Sequence, residues 1–449
     1  MKRVLSLVLA FIILLSCLYG CTGENAEEQK SGEQLTYYTY KNSYYSLYDL
    51  IDKYNNYCKR NHKQENMIEI VEFATKNEMD TKMATEIMSG SGPDIFSLDR
   101  NIPYEKLFKS NIFADVNKIC EQDSSNDKID FSKYNRAIMD AGVIDGKRYV
   151  VPLFYGVNTM TGNKELLEKY NLPDKQGYSL TYKNIESDFK NFFENRNDEY
   201  FTEYSEDVSY YGSDYDALLK NLIDDYIDYE NKTVMFDSDE FRNALDMLEK
   251  IRKCSGPLWE EITWNSAHYN TMLFSSGLDD MISMARNQTG NEVIMKGFTK
   301  DESEIPAYVQ IGVAFNQSSK KYDKILDFLK YCLSEDTQER MCGIKGNDLG
   351  SSSHPVLNSA FEKSIVKAAD TENIMEEVMG VDTEFMQAYI KICRSINSCS
   401  LFNNSQPYRG SYYFNSVAGE IIEDYKSGEL SKDKFIRNLT SATQIYLYE

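Results

Sequence analysis

The chain has 449 residues, with 49 basic against 71 acidic side chains and a formal net charge of −22. That length supports two or three domain-sized lobes with large cores and no need of disulfide staples. So acidic a chain is excluded from wholesale binding to nucleic acid or anionic membranes, and 42% hydrophobic content with 13% aromatics excludes a disordered acidic polymer. The 34 tyrosines supply rings with a polar tip, suited to core edges and to polar-ligand clefts alike. The three histidines, His62, His268 and His354, leave little scope for histidine chemistry.

Lys2 and Arg3 precede an uncharged run from Val4 to Leu18. A basic start before a short apolar stretch reads as a secretory signal over residues 1–20 rather than a spanning helix. The run ends at Leu18-Tyr19-Gly20-Cys21, which resembles a bacterial lipobox, with polar Thr22-Gly23-Glu24-Asn25 directly after it. Leu14-Leu15-Ser16-Cys17 is a second such segment, and Cys21 is the expected lipidation site. Residues 21–34 read as a flexible tether. Seven further cysteines follow, with no CxxC among them, so no zinc pattern is present and no metal site is expected. Buried thiols are the expectation, with Cys393–Cys399 and Cys332–Cys342 as the pairings that spacing leaves open.

Leu35-Thr36-Tyr37-Tyr38-Thr39-Tyr40 is rich in β-formers and predicts a first strand. Asn42-Ser43 offers a cap to a helix whose Leu47, Leu50, Ile51, Tyr54 and Cys58 recur at helical spacing. A second strand is predicted over Ile68–Phe73. A second helix, with Asn77 as its cap, carries Met79, Met83, Ile87 and Met88 on one face and stops at Gly90-Ser91-Gly92-Pro93. Asp94–Asp99 is the third strand, and this alternation means parallel pairing with right-handed crossovers. The proline-free stretch from Asp174 to Glu230 reads as a mostly helical second lobe. Ser319–Leu333 is the clearest amphipathic helix, with Ile325, Phe328, Leu329 and Cys332 in one stripe. Two more helices are predicted around Val417–Tyr425 and Ser431–Leu447.

Several segments, in order, carry a family resemblance. Ser89-Gly90-Ser91-Gly92-Pro93-Asp94-Ile95, Phe108–Val116, Asp145-Gly146-Lys147-Arg148-Tyr149-Val150-Val151-Pro152, Asn158–Leu172, Asp237-Ser238-Asp239-Glu240-Phe241 and Ile311–Lys320 each look like a motif of one group. That group is the extracellular solute-binding proteins of ABC importers, in particular the large sugar-binding family 1. Asn111 stands where the family usually has glycine, and Thr161-Gly162-Asn163 replaces its aromatic-rich approach. The resemblance implies an α/β, two-lobe periplasmic-binding-protein-like fold. Each lobe is expected to hold a mixed, mostly parallel sheet flanked by helices, joined through two or three hinge crossings. Lobe 1 is expected to comprise residues 35–152 and 306–345, and lobe 2 residues 153–305 and 346–449. Pro152 and Pro306 fit the first two crossings, and 343–353 a third.

The implied function is capture without turnover: a membrane-anchored, extracytoplasmic monomer closes around a carbohydrate, expected to be an oligosaccharide, and delivers it to the permease without a cofactor. Sugar recognition requires flat rings for C–H faces and fixed polar groups for hydroxyls. Residues expected at the cleft ends of strands are Tyr40, Asn42, Asp94, Asp99, Arg100, Tyr155 and Asn158. Trp259 and Trp264 are the second-lobe candidates, and Tyr408 and Arg409 lie near the end. Asp94 also reads as a tie for a backbone turn. A secreted carbohydrate-active enzyme is one alternative, although no carboxylate pair, HExxH, GxSxG or P-loop stands out. Another is a binder of metal or peptide; Tyr412-Tyr413 resembles the paired tyrosines of ferric-ion binders, although Tyr pairs also stand at 37–38, 44–45 and 210–211. A binding lipoprotein serving a sensor kinase is the third.

Overall fold

The computed structural model describes residues 34–41, 47–98, 104–201, 203–204, 214–257, 273–276, 292–341, 353–364, 383–402 and 411–448. In the strand Leu35–Tyr40, Leu35, Tyr37 and Thr39 are buried while Tyr38 and Tyr40 on the other face are half-buried. It pairs in parallel with Ile68–Phe73 along its whole length and with Ile95–Ser97 at Tyr37. Helices Tyr48–Arg60 and Lys76–Met88 make the crossovers. Asn55 ties the first of these to its strand, giving its amide to the Ile68 carbonyl at 2.9 Å and accepting the Ile68 N–H at 2.8 Å. The second helix is capped by Thr75, whose hydroxyl accepts the Glu78 N–H. Asn77, the expected cap, lies inside the first turn because the extended backbone of Thr75 already places an oxygen there.

The first sheet runs in the order His354–Pro355, Val150–Val157, Pro306–Phe315, Ile95–Ser97, Leu35–Tyr40, Ile68–Phe73, with Ser398–Ser400 also paired to Pro306–Phe315. A second sheet runs Leu273–Ser276, Thr159–Asn163, Glu292–Thr299, Tyr178–Thr181. Both are mixed, but the parallel share is smaller than expected. In the second sheet only the Glu292–Thr299 and Tyr178–Thr181 pair is parallel. Antiparallel partners enter because Val150–Val157 and Pro306–Phe315 run against each other as they carry the chain out and back.

The first sheet is covered on one face by a large core, including Leu50, Tyr54, Phe154, Val313 and Phe328, and on the other by a smaller core around Phe96, Phe108, Phe113 and Tyr149. The second sheet packs into a separate core with Leu167, Phe189, Leu222, Leu245 and Leu439. Asp327 fastens the amphipathic helix Tyr322–Leu333 to the first lobe, accepting from Tyr54 at 2.8 Å, Lys63 at 2.9 Å and Asn66 at 3.1 Å.

Two expected boundaries move. Pro152 pairs with Gly312 inside the first sheet, and the chain leaves that sheet only after Val157, entering the second at Thr159. Residues 353–364 and 383–400 pack on the large core of the first lobe through Val356, Phe361, Tyr389 and Ile392, whereas Tyr413, Ile422, Phe435 and Leu439 join the second. An amphipathic stripe records that a helix is buried, not which of two cores buries it. The return from Thr299 to Pro306 is the second crossing.

Candidate functional site

Along Pro306–Phe315, Ala307, Ile311, Val313 and Phe315 enter the large core. The opposite face changes character along its length. Ala314 belongs to the smaller core, and Gly312 approaches Leu98. Nearer the crossings come Tyr308 and, within the irregular stretch between Val309 and Ile311, Gln310, both half-buried. Paired residues share a sheet face. Gly156 and Ser400, both opposite Tyr308, and Ser398, opposite Pro306, therefore extend the same strip. The Tyr308 ring lies across Gly156, where an added Cβ would meet Cζ at 2.3 Å. Gln310 Oε1 and Ser398 Oγ are buried and make no hydrogen bond. Two residues beyond Gly156, Asn158 forms the first crossing, half-buried.

This strip offers a ring, two amides and two hydroxyls, and none of its residues is charged. The groups beneath it are neutral too. Desolvation lowers the His354 pKa to about 4, and burial raises that of Tyr155. His354 Nε2 is 2.8 Å from the Tyr389 hydroxyl, which satisfies the buried imidazole. The arrangement suits a neutral ligand with hydroxyls and apolar faces better than an ion.

Of the residues expected from sequence, Tyr40 ends the first strand half-buried, with the Lys76 ammonium 5.7 Å from its ring centroid. It packs against the smaller core together with Leu98, Leu401 and Phe402. Asp94 sits at the opposite end of the parallel strands. It accepts from the Thr36 N–H at 2.9 Å, the Thr36 hydroxyl at 3.1 Å and Lys321 at 2.9 Å, so it fastens the sheet and is only 7% exposed. Tyr155 points to the large core, 1% exposed, with His354 and Phe361 against its ring; strand alternation puts Gly156, not Tyr155, on the strip. Asn158 joins the two sheets through its backbone, donating to Pro306 O at 3.3 Å and accepting from Gly297 at 3.1 Å. Asn42, Asp99, Arg100, Trp259, Trp264, Tyr408, Arg409 and Cys21 lie outside the described residues. Tyr308, Gln310, Ser398 and Ser400 were not anticipated. Their signal is the polar alternation in Pro306-Ala307-Tyr308-Val309-Gln310-Ile311, next to a crossing. Cys393 and Cys399 are both free thiols, so the pairing left open for them is not formed.

A family model for bacterial extracellular solute-binding proteins matches residues 49–369. The chain belongs to that family. Among curated proteins none matches this solute-binding protein in sequence. Solved structures share its fold. An ABC substrate-binding protein of Listeria monocytogenes, in complex with cycloalternan, aligns with a TM-score of 0.56 at 16% identity, covering 92% of this chain and 99% of that one. The GacH receptor of Streptomyces glaucescens, described unliganded and with acarbose, aligns at 0.55 and 16%, covering 92% and 98%. A family 1 extracellular solute-binding protein of Alicyclobacillus acidocaldarius aligns at 0.56 and 10%, covering 93% and 98%. The two-lobe architecture is common to them.

Proposed function

We propose that this solute-binding protein is the capture component of an ABC importer for a carbohydrate, specifically an oligosaccharide, which it grips by hinge closure and delivers to a membrane permease. The observation that carries the reading is the uncharged strip of Tyr308, Gln310, Ser398 and Ser400 beside the two described crossings between lobes. A tyrosine ring matches a sugar C–H face, and neutral amides and hydroxyls match its hydroxyls without the desolvation penalty of a buried charge. The complexes of the Listeria and Streptomyces proteins with cycloalternan and acarbose support the same ligand class. Ligand touching both lobes binds the closed state better and so shifts the population toward it. Hydrolysis would require two carboxylates at a set separation, and the described strip contributes none, which favours binding without turnover. The protein acts as a monomer outside the cell, anchored through lipid on Cys21.

A thermal-shift screen against mono- and oligosaccharides tests this. A ligand at 100 times its dissociation constant adds about 2.7 kcal/mol of stability. The expected result is stabilisation by one group of oligosaccharides with no product formed on prolonged incubation. Stabilisation only by peptides or metal ions, or release of shorter sugars, would overturn it.

A further inference from the structure

Two crossings between the lobes lie within the described residues, and each is held from both sides at a narrow point. At the first, the Asn158 N–H is committed to Pro306 of the first sheet and its carbonyl to Gly297 of the second. At the second, the Glu302 carbonyl accepts from Ser179 Oγ and Lys296 Nζ, each at 3.1 Å and each on a strand of the second sheet. The very next carbonyl, that of Ser303, accepts from Asn397 Nδ2 at 2.8 Å. Asn397 Oδ1 also accepts the Ile305 N–H at 2.8 Å, and its own N–H reaches the Ile305 carbonyl at 3.3 Å. Asn397 directly precedes Ser398–Ser400, which is part of the first sheet, and follows Ile396 of the large core. Its side chain therefore extends the ladder of the first lobe by two bonds, in the way a backbone amide would.

We infer that at these two crossings lobe rotation pivots on Asn158 and on the backbone torsions of Ser303, with Asn397 as the positioning residue that holds the second pivot; this rests on the hinge closure proposed above. Adjacent carbonyls gripped by opposite lobes leave the φ and ψ of Ser303 to absorb the torsion change, within a turn where Asp301 accepts from the Ser303 and Glu304 N–H groups. Hinges of this kind need only a few residues at element ends. A sharp axis brings the lobe faces together in the same register at every closure.

The test uses the ligand-free full chain with nitroxides on a ketone-bearing side chain at Met88 and Met235, exposed positions on the two lobes. Ketone chemistry leaves the free thiols untouched. Pulsed electron–electron resonance reads the width of the interlobe distance distribution, and hydrogen exchange reads the Ile305 amide. Asn397→Ala is expected to broaden the distribution about twofold and to speed Ile305 exchange roughly tenfold, the scale of one lost hydrogen bond. Asn397→Asp, which keeps the acceptor but not the donor, should fall between, and Ser395→Ala should match the parent. An Asn397→Ala width equal to the parent's, with Ile305 exchange raised, overturns the inference. If Asn397→Ala fails to fold, the combined Ser179→Ala and Lys296→Met variant frees the other jaw, and an unbroadened distribution there overturns it equally. A parent distance unmoved by acarbose that nevertheless raises the melting temperature would instead overturn closure itself, leaving the width comparison intact.

Discussion

Gly156→Ala tests the placement of Tyr308 on the binding strip. The backbone at Gly156 lies in a strand without a positive φ, so alanine is conformationally acceptable there. The obstacle is the ring: the new Cβ would stand 2.3 Å from Cζ and 2.4 Å from the hydroxyl oxygen of Tyr308, where ordinary contact begins at 3.4 Å. The ring tip must retreat by at least 1.1 Å, the difference between 3.4 and 2.3 Å. Because the obstructing atoms end a side chain, the fold accommodates this at the low end of the overpacking range, about 1 kcal/mol. Ligand binding suffers more. A displaced ring forfeits about 1.5–3 kcal/mol of contact, the scale for one large side chain, which weakens binding roughly ten- to a hundredfold. Urea unfolding measures the first quantity, and isothermal calorimetry with the tightest sugar from the thermal screen measures the second. Tyr308→Phe keeps the ring and should lose less affinity than Gly156→Ala. A Gly156→Ala protein that binds as tightly as its parent would remove Tyr308 from the site.

Three further outcomes are expected. His354 is buried, with a pKa lowered to about 4 by desolvation, so the unfolded chain takes up its proton first. Stability from the neutral imidazole is complete above pH 6.5 and declines toward pH 4 by about 3 kcal/mol. His354→Gln should flatten the unfolding free energy between those pH values by that amount, and parallel curves would refute it. Asp216, 3% exposed at its side chain, pairs with Lys220 at 2.6 Å and Lys426 at 3.0 Å. Asp216→Asn removes the carboxylate that two ammonium groups share, leaving Lys426 only Glu423, at 2.9 Å, among the described residues. It should lower the urea-unfolding free energy by about 3 kcal/mol, and a loss under about 1 kcal/mol would place the pair in the surface class. Labelled palmitate should remain on Cys17→Ala and vanish from Cys21→Ala in a bacterial host, and the reverse result moves the anchor.

The opening strands and helices were legible because their signals are unmixed: an unbroken run of β-forming Thr and Tyr at 36–40, and Leu50, Ile51, Tyr54 and Cys58 on one helical face. Tyr322–Leu333 begins three residues after the predicted start at Ser319 and ends where expected, since Ser319 lies in a turn. The antiparallel share of the sheets was not legible, because a strand's composition does not reveal the direction of its neighbour. Assignment of Tyr389 and Ile392 to the first lobe was hidden for a related reason, namely that long-range pairing of Ser398–Ser400 with Pro306–Tyr308 decides it. The site divides the same way. Tyr155 and Gly156 are neighbours in sequence, yet alternation sends one into the core and the other to the strip. Asp94 drew notice as a carboxylate beside a strand, but the start of a parallel strand lies at the wrong end of the sheet. Tyr308 and Gln310 are ordinary among so many tyrosines until the crossing at Pro306 places them together.

The most direct check on the central claim is small-angle X-ray scattering of the full two-lobe protein with and without the oligosaccharide that stabilises it most. Closure around Asn158 and Glu302–Ser303 predicts a smaller radius of gyration at saturation and no change with sugars that leave the melting temperature alone. Tight, saturable sugar binding with superimposable scattering curves would contradict capture by hinge closure.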